Sequence, residues 1–176
     1  MSHNILVKNA VDEKNNALNR SAWSASALDN GWVFSLLSQS AITGYSEVWL
    51  ATQPSTGSLS GLWMASDSEV ILTDSKYKGI NPDPRDFNIA TSTVFTAFKP
   101  MPGDIITITA DALNDSTTQA FAIAKTTNYE FEWSDNPVGT DTMCLRYLDT
   151  TYIPVGSGSA MGDSRVVAYQ FEVLYN

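Results

Sequence analysis

Along most of this chain apolar and polar positions alternate with a period of two, the spacing that sends successive side chains to opposite faces of a β-strand. The pattern predicts strands over residues 32–37, 46–52, 62–65, 69–72, 93–98 and 104–110, then over 119–125, 129–133, 142–148, 151–155 and 165–175. Within 104–110, Ile106, Ile108 and Ala110 share one face, and Ile105, Thr107 and Thr109 the other. Within 165–175, Val167, Tyr169, Phe171, Val173 and Tyr175 share a face. A strand of that length spans roughly 35 Å at about 3.3 Å per residue. A short helix over 13–19 is disfavoured by Asn15 and Asn16 at its centre, which are poor helix formers. About ten or eleven short strands punctuated by Gly, Pro and Asn predict an all-β fold, a mainly antiparallel sandwich or barrel of jelly-roll-like character.

Residues 1–30 lack this rhythm apart from a brief strand at 4–8, and their mixture of Asn, Ser, Asp, Lys and Ala predicts an extended N-terminal arm. Residues 31–176 are then expected to form a single β-domain. Asp29-Asn30-Gly31 is a turn signal, because Asn and Gly tolerate the positive φ angles of tight hairpins. The longest irregular stretch, 73–92, contains Asn81-Pro82-Asp83-Pro84-Arg85-Asp86-Phe87. Its two prolines fix their own φ and push Asn81 and Asp83 toward extended backbone, so a stiff loop rather than a floppy linker is predicted. Together with 53–61 (QPSTGSLSG) and 156–164 (GSGSAMGDS), it is where recognition is expected on a rigid sheet.

Charge narrows the partners. The 176 residues carry 10 Lys and Arg against 19 Asp and Glu, a formal net charge of −9, with no basic cluster in either half. Nucleic acid binding depends on clustered cations that neutralise phosphates, so no nucleic acid partner is expected. Anionic membrane surfaces are disfavoured for the same reason. The start, MSHNILVKNAVDEKNNALNRSAW, has only Ile5 to Val7 as an apolar run, unlike a secretory signal, which predicts synthesis and folding in a cytoplasm. Cys144, the single cysteine, falls in a strand pattern on the side of Thr142, Arg146 and Leu148 and reads as a small half-buried filler.

The residues with chemically useful side chains do not assemble a reaction. Asp83 and Asp86 flank Arg85, and two carboxylates so spaced can hold a water or cation, but acid and base roles need separated environments that spacing alone does not supply. The favoured reading is a structural clamp in which the planar Arg85 fork bonds a carboxylate. Asp67, Glu69 and Asp74, or Asp111 and Asp115, follow no EF-hand spacing. One His, His3 near an end expected to be mobile, and one Cys give zinc or nucleophilic triads little to work with. No phosphate-binding glycine motif is present, and neither metal nor cofactor is expected. Five tryptophans, Trp23, Trp32, Trp49, Trp63 and Trp133, raise a second possibility, since Trp49 and Trp63 can form a sugar-stacking platform; filling a core or an interface is the favoured role for such rings.

PDPRDF (82–87), FKPMPGDIITITADAL (98–113) and RVVAYQFEV (165–173) in that order, with SEVWLAT followed by GLWMASDSEVILT, resemble a recurring family of tailed-bacteriophage head decoration, or cement, proteins. The resemblance covers about four-fifths of the chain, from near Gly31 onward. It implies a non-enzymatic virion structural protein on the outer capsid surface that braces the major capsid protein, commonly as a homo-oligomer with a trimer favoured. On that reading Arg20 and Trp23 in the arm, and Asp83, Arg85, Asp86 and Phe87 in the loop, are the expected capsid or subunit contacts. A carbohydrate-binding or adhesion module of a virion, or another phage part such as a tail component, is the alternative.

Overall fold

A computed structural model describes residues 3–11, 18–39, 44, 46–55, 59–67, 71–73, 79–81, 87–114, 117–137, 139, 142–155 and 165–176. The strands are β1 (Leu6–Ala10), β2 (Asn19–Trp23), β3 (Val33–Gln39), β4 (Trp49–Thr52), β5 (Trp63–Ala65), β6 (Ile71–Thr73), β7 (Gly79–Asn81), β8 (Val94–Phe98), β9 (Ile105–Thr109), β10 (Phe121–Ala124), β11 (Phe131–Ser134), β12 (Cys144–Pro154) and β13 (Arg165–Tyr175). A 3-10 turn, Ala110–Ala112, follows β9. The all-β sandwich-and-barrel expectation holds: β2-β4-β3-β5-β8 close into a barrel, and β1-β9-β13-β12-β10-β11 form an antiparallel sheet beside it. Among the described residues, β6 and β7 pair with each other.

The alternation read from the sequence becomes two cores. Phe34, Trp63, Ala65, Phe95 and Ala97 turn into the barrel with Ala22 and Ala51. Val33, Met64 and Phe98, on the other side of the same strands, meet Ile106, Ile108, Phe131, Leu145 and Phe171 of the six-stranded sheet. β5 is therefore buried on both faces, and each of its three residues is inside. β9 is equally enclosed, with β1 on one edge and β13 on the other. Its hydroxyl face is buried too, because Thr107 bonds Asn9 at 2.7 Å and the Ile5 amide donates to the Thr109 hydroxyl at 3.1 Å. Polar groups can be buried there because each finds a partner.

Four expectations are corrected. The described part of the first thirty residues is not a separate arm: β1 pairs with β9 and β2 with β8, and Ile5, Ala22 and Leu28 are core residues. The period was hidden because β2, Asn-Arg-Ser-Ala-Trp, turns only an alanine and an arginine stem inward. The patterns at 142–148 and 151–155 are one strand, β12, which absorbs the phase change with a register shift between Tyr147 and Asp149. Cys144 is fully buried. Asp29-Asn30-Gly31 turns the chain but does not make a hairpin, since β2 pairs with β4 and β8 rather than with β3.

That corner instead ties three segments together. The Asn30 side chain accepts from the Asp67 amide at 2.8 Å and donates to its carbonyl at 3.1 Å. Asp29 receives the Asn4 amide at 3.3 Å and lies 2.8 Å from the His3 ring nitrogen, so His3 is docked. Gly31 has φ +84°, and a β-carbon there would sit 3.1 Å from the Ile108 side chain. A second tie is Asn176, whose side chain accepts from the Leu62 amide at 2.8 Å and donates to the carbonyls of Leu62 and Pro100 at 2.9 and 2.8 Å, joining the chain after β13 to the barrel.

Gly31→Ala is expected to cost about 1–2 kcal/mol for the left-handed backbone alone, with crowding against Ile108 added. Asn176→Ala, which strands backbone groups of buried Leu62, is expected to cost about 1–3 kcal/mol. Both are read as a lower urea midpoint at unchanged m.

Candidate functional site

The barrel interior is stratified. Ala22, Ala51, Ala65 and Ala97 come from four different strands and are at most 4% exposed, while Phe34 and Phe95 meet edge to face at 5.5 Å. Period two along β2 puts Arg20 on the inward side with Ala22, and along β4 it puts Trp49 with Ala51. At this end the guanidinium carbon of Arg20 lies 4.0 Å from the centre of the Trp49 ring and 5.0 Å from that of Trp63. Arg suits the position because its planar, weakly hydrated cation can lie on an indole face; such a contact contributes about 0.5–2 kcal/mol.

Lys99 belongs to the same end. It follows β8, its amide donates to the Leu18 carbonyl at 2.8 Å, and its ammonium comes within 3.8 Å of where a β-carbon on Gly61 would be. Lys125 and Arg146 are paired with Glu132 and Glu172, whereas among the described residues neither Arg20 nor Lys99 has a carboxylate partner. In a chain of net charge −9 this is a local positive spot.

Around the opposite end of the β2–β4 pair, the two parallel strands diverge after only two rungs, Ala22 to Trp49 and Trp23 to Leu50. They leave a cleft of about 360 Å³ lined by Ser24, Ser26, Leu50, Thr52, Gln53 and Tyr129, among others. Tyr129 is backed by Trp32, the rings stacked at 5.5 Å with an angle of 1°.

The residues expected to make contacts are not all brought together. Arg20 and Trp23 lie an odd number of positions apart on β2 and face opposite ways; Trp23 is half-buried beside Val94 and Leu50. Phe87 packs as a partly buried ring against the barrel core. Asp83, Arg85 and Asp86 lie outside the described residues, as do Glu69, Asp74 and Asp115. Trp63 is 7% exposed and part of the barrel core, so it does not offer an open ring to a sugar. Among the described residues no group of three His, Cys, Asp or Glu side chains converges in a way that could hold a metal. The pairing of Arg20 with two tryptophans was missed because it joins β2, β4 and β5, and the one available signal was an arginine at an inward position.

No family model, curated protein or solved structure matches this chain.

Trp63→Ala empties part of the barrel and is expected to cost about 3–5 kcal/mol, as large-to-small core changes do. A fall of that size in chemical denaturation identifies Trp63 as a core residue, whereas near-parental stability would mark a surface platform.

Proposed function

We propose that this protein is a non-enzymatic virion structural component that binds the outer surface of an assembled capsid and braces it, as a decoration protein does. The observation that supports this reading is the β12–β13 pair. β13 pairs with β9 only through residues 168–172, and β12 with β10 only through 121–123 opposite 144–146, while the two strands pair with each other as far as Pro154 and Arg165.

A two-stranded ribbon thus continues past the rest of the sheet. Tyr152 and Val167 are directly opposed on it, 57% and 38% exposed, and Leu148 is 39% exposed. Tyr152 and Val167 extend, beyond the sheet, the face on which Tyr147, Tyr169 and Phe171 pack around Trp133. Apolar side chains on a projecting ribbon favour cover by another surface, and the neighbouring subunits of a lattice supply one. A repeating shell adds multivalency, which raises net affinity without new contacts.

Purified protein added to undecorated shells is expected to bind saturably and raise their resistance to heat. A Tyr152→Ser, Val167→Ser double variant, which alters no core residue, is expected to keep its melting temperature and lose at least about tenfold in shell affinity, the loss of roughly 1.4 kcal/mol of apolar burial. Failure of the parent protein to bind shells overturns the assignment; unchanged binding by the double variant removes the ribbon from it.

A further inference from the structure

The guanidinium of Arg20 lies over two indole rings and is left, among the described residues, without an acceptor. Trp49 and Trp63 occupy its neighbourhood at 4.0 and 5.0 Å, and among the described residues no carboxylate or carbonyl accepts a hydrogen bond from it. Its donors are not sealed: the buried side-chain polar atoms that lack partners belong to Asn4, Trp32 and Ser35. A half-buried arginine with solvent-reachable donors is a rigid fork, because stacking on indoles removes much of the rotamer freedom that binding would otherwise cost. Lys99 stands at the same end of the barrel, also without an acidic partner among the described residues.

We propose that this end of the barrel is a binding site for a sugar acid, whose carboxylate is taken bidentately by Arg20 with Lys99 adding charge. Carboxylate geometry matches two parallel N–H donors of the guanidinium. The body of the ligand lies against Trp49, which is half-buried, unlike Trp63. Exposed Gln39, opposite Trp49 in the β3–β4 register, places an amide strand-side for hydroxyl groups. The chain's net charge of −9 disfavours an extended acidic protein face, which would be repelled as a whole, but a single carboxylate can pair with the cations of Arg20 and Lys99 at close range. The site is on the barrel, away from the β12–β13 ribbon, and does not rest on the capsid reading.

The test compares sodium glucuronate with glucose, which differ in the carboxylate, against a hexaglutamate peptide. Tryptophan fluorescence and the Arg20 Nε–Hε resonance are followed on the full chain. Glucuronate is expected to shift both saturably and glucose neither. Arg20→Lys is expected to weaken glucuronate binding about tenfold or more through loss of the bidentate pair, and Lys99→Gln by a smaller factor. Lys99→Gln leaves the barrel interior untouched, so it and the parent's Arg20 resonance decide the matter if Arg20→Lys does not fold. Equal responses to glucose and glucuronate, no response to glucuronate well above the millimolar range, or a response to hexaglutamate alone would each overturn the proposal.

Discussion

Closing five short strands into one barrel leaves a lumen too narrow for large side chains at every level, since barrel diameter grows with strand number. The rest of the arrangement follows from that constraint. Four alanines, Ala22, Ala51, Ala65 and Ala97, occupy inward positions on four strands, and rings such as Phe34 and Phe95 fill the space they leave. An arginine can point inward only toward an end, where its stem packs in the barrel and its cation reaches water. The stacking of Arg20 on Trp49 and Trp63 is thus a consequence of barrel size as much as of aromatic chemistry.

The same strands serve a second core. Met64, Val33 and Phe98 leave the barrel on its outer side and meet Ile106, Ile108 and Phe171, so barrel and sheet share a wall. Removing either would expose the other's apolar face, and at about 1.5–3 kcal/mol for each large buried side chain neither layer is expected to stand alone. Polar ties fix how the layers meet: Asn30 holds Asp67, Asp29 holds the start of the chain, and Asn176 holds Leu62 and Pro100. Each bonds a backbone group at the junction, where burial makes an unpaired polar group costly.

The division of labour across the surface is correspondingly clear. The barrel strands β2 and β8 carry the mouth with its two cations, and the strand pair that outruns the sheet carries exposed Tyr152 and Val167. A site on the barrel end is pre-organised by packing, whereas a projecting ribbon is free to adapt to a partner.

Period-two alternation determined the all-β class and most strand positions, because a half-buried strand must write its two faces into its sequence. β13 was legible to its ends for that reason: Phe171 and Val173 on one face are buried, while Gln170 and Glu172 on the other are only half-buried. β2 was not legible, since its inward positions are one alanine and one arginine and its placement is decided by pairing with β8 and β4. Burial of the β9 threonines was likewise invisible, as it depends on Asn9 and Ile5 arriving from about a hundred residues away. Composition identified Trp49 and Trp63 as residues of interest and Arg20 stood among the expected arm contacts, but only closure of the barrel brought the three within contact, because strand order and register are set by long-range packing that no local window contains.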